Sequence, residues 1–182
     1  MLACWSVAVV LMGGILTSYH QPFQSPDATV LTLVSSPGQG KWRTVHVLSG
    51  SCGCSQKVML HLLERHPLGD TAEQILVVDG GEDYLPESSE LLARLVDQGF
   101  RVTHIATKDI PKHVGLVGVP LLIVVSPGNR IAYMGGYGRA GDQDIEVLRQ
   151  IQSGHNSEHL PVVGCAVGSR TRREADPFAL KY

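Results

Sequence analysis

The chain has 182 residues, of which 43% are hydrophobic and 18% are charged. This composition is typical of a globular protein, and the length suits one sizeable domain with appendages. The formal net charge is -2, and the basic residues are scattered except for Arg170, Arg172 and Arg173. Because nucleic-acid binding requires a basic surface, we expect no nucleic acid among the partners.

The N-terminal residues 2–19 carry no charge and are almost continuously apolar. A helix of this length spans about 27 Å, close to the thickness of a bilayer core. No basic residue precedes the run and Leu16-Thr17-Ser18 is a poor cleavage site, so we favour an uncleaved signal-anchor over a cleaved signal peptide or a buried helix. Residues 20–40 also lack Lys and Arg, as a translocated flank does. We therefore predict a single-pass membrane protein with its domain on the extracytoplasmic, periplasmic side.

Residues 20–40 are rich in proline and serine, and we interpret them as a linker. Within this linker the short apolar patch 29–34 suits an additional edge strand.

Residues 41–152 are predicted to form the domain, in which strands alternate with helices. The expected elements are a strand at 42–48, a loop with two cysteines at 51–55, a helix at 56–65, a strand at 74–78, a helix capped by Ser88 or Ser89 that runs to Val96, and a strand at 101–106. Such alternation predicts the α/β class, with right-handed crossovers and parallel strands between helices.

The last third of the chain changes character. A strand containing Pro120 runs from Val119 to Val125, a turn follows at 126–129, and a second strand follows at 130–134, which together predict a β-hairpin. A helix capped by Asp142 or Asp144 is expected next. The tail, residues 153–182, contains Cys165 and is predicted to dock on the domain.

This order of elements resembles the thioredoxin superfamily over roughly residues 41–152. The resemblance is carried by the Cys52-Gly53-Cys54 loop and by Gly118-Val119-Pro120 before the apolar strand. Residues 135–138 are similar to the glycine-containing end of the same strand in membrane-tethered members. The usual family motif is Cys-x-x-Cys preceded by Trp, whereas here it is Ser51-Cys52-Gly53-Cys54. The resemblance implies a thioredoxin-like fold, with a central mixed sheet flanked by helices after the N-terminal transmembrane helix.

The resemblance also implies a site. It makes Val119–Pro120 a cis bond beside the active-site sulfurs, with Gly118, Val119 and Pro120 shaping the substrate groove. Cys52 then lies at a helix N-terminus, where unpaired N–H groups stabilise a thiolate, and is the predicted nucleophile. Cys54 is the predicted resolving thiol. The predicted function is thiol–disulfide exchange with protein or small-molecule thiols and disulfides, without a cofactor because the dithiol holds the two electrons.

Two alternatives remain open at this point. Cu(I) or Zn is the cofactor if the chain binds or delivers metal, with ligands from Cys52, Cys54, Cys165, His155 and His159. The other alternative is a redox-inactive interaction module. Cys165 lies in an apolar segment and is interpreted either as a packed core cysteine or as a third thiol or ligand.

Overall fold

The computed structural model of the chain describes residues 5–7, 9–13, 22–34, 40–79, 84–155 and 157–175. For residues 79, 169, 170, 174 and 175 it describes the backbone and not the side chain. Residues 5–7 and 9–13 are helical, and most of the predicted signal-anchor at 2–19 lies outside the described residues. Among the residues described, none of the helices has both the length and the apolarity needed to cross a bilayer.

A five-stranded mixed sheet forms the centre of the fold. Its strands are β1 (Trp42–Leu48), β2 (Thr71–Asp79), β3 (Arg101–Ala106), β5 (Leu121–Val125) and β6 (Ile131–Gly135), in the order β3-β2-β1-β5-β6. Strands β1, β2 and β3 are parallel to one another, whereas β5 is antiparallel to both of its neighbours, β1 and β6. A second, two-stranded sheet pairs β4 (Gly118–Val119) with β7 (Cys165–Ala166). The predicted α/β architecture with a mixed sheet is therefore observed.

Proline 120 explains why one predicted strand becomes two. Residues 119–125 were expected to form a single hairpin strand, but Pro120 lacks an N–H and separates β4 from β5. Only β5 joins β6 in the hairpin. The two residues before the proline are thereby directed into the separate sheet with the C-terminal segment.

Both faces of the central sheet are covered, which explains why its strands read as continuous apolar runs. Ile75 and Val77 point into a core shared with the helices, whereas Leu76 and Val78 point into a second core. The first core contains the apolar faces of α1 (Gly53–Arg65), α2 (Pro86–Asp97) and α3 (Asp144–Gln152). The second is closed by side chains from residues 23–34, 110–119 and 162–167.

Helix α2 begins at Pro86, two residues before the earlier of the two predicted caps. Proline suits the first helical position because its missing N–H has no partner there in any case. The predicted capping residue Ser88 lies inside the helix, where its buried hydroxyl accepts a hydrogen bond from the Gln56 amide at 3.2 Å. The expected cap is therefore corrected to a link between α1 and α2.

Residues 29–34 do not form the predicted edge strand. Residues Ala28–Leu33 are a 3-10 helix instead, because the Asp27 side chain caps it by accepting from the Thr29 N–H at 2.9 Å. Val30 of this turn is fully buried in the second core. The described part of the predicted linker thus packs against the domain.

The C-terminal tail contains a strand and a helix that were not predicted from the sequence. After β7 the chain forms helix α4 (Gly168–Ala175), and Val162 and Val167 are buried in the second core. Residues 162 and 167 of the tail thus contact the second core, and the described residues end at 175.

Candidate functional site

Cys52 occupies the N-cap position of α1 and is fully buried. The loop around it is held by its own hydrogen bonds: the Cys52 N–H donates to the Ser49 carbonyl at 3.3 Å, and the Ser49 N–H donates to the Ser55 hydroxyl at 3.1 Å. A sulfur at this position lies beside the unpaired N–H groups of the first helical turn. Such groups stabilise a thiolate, so Cys52 is placed where a cysteine becomes a good nucleophile and a good leaving group.

The partner of Cys52 is Cys165 and not Cys54. Cys52 and Cys165 form a disulfide across 113 residues of sequence, with their Cα atoms 5.9 Å apart, a normal separation for a disulfide. Cys54 is an exposed free thiol in the first turn of α1. The structure therefore brings together the predicted nucleophile and the residue that the sequence identified as a possible third thiol.

The peptide bond between Val119 and Pro120 is cis, as the family resemblance implied. The Val119 carbonyl oxygen lies 3.9 Å from the Cys52 sulfur. Gly118, Val119 and Pro120 are all buried. The residues predicted to shape a substrate groove thus lie next to the disulfide, but they are covered.

The cover is the chain's own C-terminal segment. In the β4–β7 ladder Val119 pairs with Cys165 and Gly118 pairs with Ala166. Gly164 packs so tightly that a β-carbon there would lie 2.0 Å from the Val119 carbonyl oxygen. On the other side, a β-carbon on Gly118 would lie 2.3 Å from the Phe23 ring. Both glycines are therefore required by close approach of neighbouring chain segments.

An arginine from α4 reaches the cysteine loop. The Arg172 guanidinium donates to the Ser51 hydroxyl at 3.3 Å, and the Ser51 hydroxyl lies 3.1 Å from that of Ser49. Arg172 belongs to the basic group noted in the sequence near the end of the chain. That clustering was the available signal for this contact, but sequence alone does not show what the cluster faces.

The candidate metal ligands are not assembled into a site. His159 stacks on Tyr133, with ring centroids 5.4 Å apart, and its Nδ1 lies 3.1 Å from the Met134 carbonyl oxygen. His155 lies just beyond the end of α3, on the surface. Within the described ranges, no three His, Cys, Asp or Glu side chains are grouped as they would be to hold a metal ion.

A buried polar network lies at the far end of α1. Arg65, in the last turn, bonds to Glu73 at 2.6 Å and to Asp144 at 2.9 Å, and His46 bonds to Glu73 and to the Tyr137 hydroxyl. Burial alone would raise the pKa of Glu73, but hydrogen bonds from His46 and Arg65 outweigh it and lower the pKa to about 2.

Burial raises the pKa of Tyr137 well above its usual range, so this hydroxyl stays neutral. The network joins α1, β2 and α3 about 18 Å along the helix from Gly53. We assign it to structure and not to the chemistry of the cysteines.

No protein-family model matches the chain, and no curated protein matches it in sequence. Among solved structures, a thioredoxin-like protein in its oxidized form matches with a TM-score of 0.55 and 14% identity, over 75% of this chain and 98% of that one. A hypothetical protein from Sinorhizobium meliloti 1021 matches with a TM-score of 0.55 and 18% identity, over 82% of this chain and 91% of that one.

An uncharacterized conserved protein from Geobacillus kaustophilus has a TM-score of 0.53 and 13% identity, over 82% of this chain and 89% of that one. At such identities the likeness concerns the fold. The chain has a thioredoxin-like fold. This follows from the strand order, from the cis proline and from the match to the thioredoxin-like protein in its oxidized form.

Proposed function

We propose that the chain is a thiol–disulfide oxidoreductase in which Cys52 is the nucleophile. The observation that carries the proposal is the disulfide of Cys52 with Cys165, at a helix N-terminus and beside the cis Val119–Pro120 bond. The partners are thiols and disulfides of proteins or small molecules. No cofactor is invoked, because a dithiol holds the two electrons by itself.

Reduction of a partner disulfide takes two exchange steps. The Cys52 thiolate attacks one partner sulfur, a Cys52–partner bond forms, and the other partner sulfur leaves as a thiolate. A second thiolate of the chain then attacks the Cys52 sulfur, closes an internal disulfide and releases the second partner thiolate. The partner gains two electrons and takes up two protons from water, and the reverse sequence oxidises it.

Two residues compete for the resolving step. Cys54 follows Cys52 in the first turn of α1 and was predicted for it, whereas Cys165 holds the bond in the structure described here. We propose Cys165 as the resolving thiol, because the fold can bring its sulfur to bonding distance of the Cys52 sulfur, as the disulfide shows. Cys54 is exposed and free, so it can exchange separately with another disulfide.

Turnover with a dithiol reductant and a small aromatic disulfide tests the proposal. Wild type is expected to catalyse the exchange, and Cys52→Ser is expected to abolish catalysis. If Cys165 resolves, then pre-reduced Cys165→Ser treated with the aromatic disulfide alone, after removal of the reductant, keeps a mixed disulfide on Cys52 that mass spectrometry detects. Cys54→Ser treated in the same way closes the Cys52–Cys165 bond and does not keep it. A redox-inactive interaction module would show no turnover even in the wild-type chain.

We also propose that the domain is tethered to a membrane through residues 2–19 and lies on its extracytoplasmic side. The support is the uncharged apolar composition of that segment and the presence of the Cys52–Cys165 disulfide, since disulfides form and persist in oxidising compartments. The exposed Cys54 provides the test. A membrane-impermeant thiol reagent is expected to label it in cells with a permeabilised outer membrane and an intact inner one, and failure to label until lysis would contradict the proposal.

A further inference from the structure

The C-terminal segment lies along β4 as an extended peptide would. Cys165 is opposite Val119 and Ala166 is opposite Gly118, and the Val167 N–H donates to the Val117 carbonyl at 2.9 Å. Residues 165–167 therefore form an antiparallel partner for residues 117–119. Extended peptides commonly bind other proteins by adding a strand to an exposed edge in this way.

Residues 160 and 162, just before this segment, are hydrogen-bonded to the rest of the chain. Upstream, the Phe23 N–H donates to the Val162 carbonyl and the Gly136 N–H donates to the Leu160 carbonyl, both at 2.8 Å. Val163, which follows, is 44% exposed. The β4–β7 ladder contains only two residue pairs, and the disulfide adds a covalent link that holds residues 164–167 on the edge.

The β4 edge restricts which type of residue can directly precede the cysteine. A β-carbon at position 164 would lie 2.0 Å from the Val119 carbonyl oxygen and 2.7 Å from Pro120 Cδ. The first obstacle is backbone and the second is a proline ring, so neither can rotate away. Only glycine fits there, and the residue after the cysteine, Ala166, is small and buried.

We infer that this site selects, among the extended partner segments that could pair with residues 117–119, those with a glycine directly before the reactive cysteine. In the oxidised chain, residues 164–167 occupy this edge as an internal copy of such a segment. The inference rests on the proposed function, since it names the partner of the same thiol. Reduction of the Cys52–Cys165 bond frees the edge, and the partner's cysteine then takes the place of Cys165.

A peptide with the sequence of residues 160–168 tests the selection. Its cysteine is supplied as a mixed disulfide with a coloured aromatic thiol. The Cys52 thiolate attacks the peptide sulfur, the Cys52–peptide bond forms, and the aromatic thiolate leaves with the electron pair of the broken bond. The matched control peptide has alanine in place of Gly164, and both are normalised by their rates with a free small thiol.

The protein for this assay is the full chain in detergent with Cys4→Ser, Cys54→Ser and Cys165→Ser, so that Cys52 is its one thiol. We expect the glycine peptide to react at least tenfold faster than the alanine peptide. Equal rates would overturn the inference, as would labelling of Cys52 by the symmetrical aromatic disulfide but by neither peptide. If no reagent labels Cys52 in the folded chain, the proposed function itself fails.

A second measurement uses the wild-type chain and does not depend on these substitutions. Hydrogen exchange at residues 164–168 is compared between the oxidised and the reduced protein. We expect the Val167 amide, which is bonded to Val117, to exchange at least tenfold faster after reduction. Unchanged protection would mean that the segment stays on the edge, and would overturn its release.

Discussion

Cys52 and Cys165 lie 113 residues apart in sequence, yet their Cα atoms are 5.9 Å apart and their sulfurs are bonded. The bond ties the first turn of α1 to a two-residue strand near the end of the chain. It therefore closes a loop that contains most of the domain.

This cross-link is expected to stabilise the oxidised chain. A loop of this length restricts the unfolded ensemble by about 4 to 5 kcal/mol in the chain-entropy model, and measured effects are typically about 2 to 4 kcal/mol. Urea unfolding of the oxidised and reduced wild-type chain measures the difference. The variant Cys54→Ser is the control, and it should retain the full difference. Equal stability of the two redox states would contradict the prediction.

Gly164→Ala is predicted to weaken the disulfide while leaving the core intact. The added β-carbon meets the Val119 carbonyl oxygen, so β7 must move away from β4. We expect the equilibrium between the chain and a glutathione redox buffer to shift at least tenfold toward the reduced form. Gly69→Ala is the matched control, because a β-carbon at Gly69 meets nothing within 4 Å. An unchanged equilibrium in Gly164→Ala would show that the close approach does not control the bond.

Glu73 is predicted to make the fold sensitive to acid. Its pKa is lowered from 4.5 to about 2, so the folded state holds the charged form more strongly than the unfolded state does. This stabilisation is fully present above about pH 4.5 and is lost as the pH falls toward 2. A shift of this size corresponds to roughly 3 kcal/mol.

Urea unfolding at several pH values checks this expectation. Glu73→Gln should lower the free energy of unfolding at pH 7, and its difference from wild type should shrink as the pH falls. Glu146→Gln is the control, because its ion pair with Arg149 is on the surface and contributes little. A constant difference between Glu73→Gln and wild type from pH 7 to pH 2 would contradict the assignment.

Differential alkylation should distinguish Cys52, Cys54 and Cys165. In the oxidised chain Cys54 is exposed and free, so iodoacetamide should modify it, while Cys52 and Cys165 stay protected until a reductant is added. Peptide mapping by mass spectrometry locates the modified residues. Protection of Cys54 together with a free Cys165 would show that the Cys52–Cys54 pair forms instead.

Much of the domain could be predicted from local patterns. The strands at 42–48 and 101–106 have the predicted bounds, because breaking residues flank apolar and β-branched runs. Helix α1 begins at Gly53 instead of Gln56, because the Cys52 backbone already starts its hydrogen bonding by accepting from the Gln56 N–H at 3.0 Å. The local sequence pattern therefore predicts these elements correctly but not all of their first and last residues.

The partner of Cys52 could not be predicted in the same way. Sequence spacing favoured Cys54, which is two residues away, whereas Cys165 is brought close only by the pairing of β7 with β4. Helix α4 is short and polar, with the sequence GSRTRREA, so it has no apolar periodicity to detect. Gly164 was the available signal, since a glycine directly before a cysteine suggests close backbone approach.

The central claim is that Cys52 exchanges disulfides with Cys165 as its internal partner. The most direct test equilibrates the full chain in a series of dithiol redox buffers, quenches it with acid, and maps free and bonded thiols by mass spectrometry. We predict a reversible two-electron transition in which the free thiols of Cys52 and Cys165 appear and disappear together. A Cys52 that never exchanges, or one that pairs reversibly with Cys54 while Cys165 stays free, would contradict it.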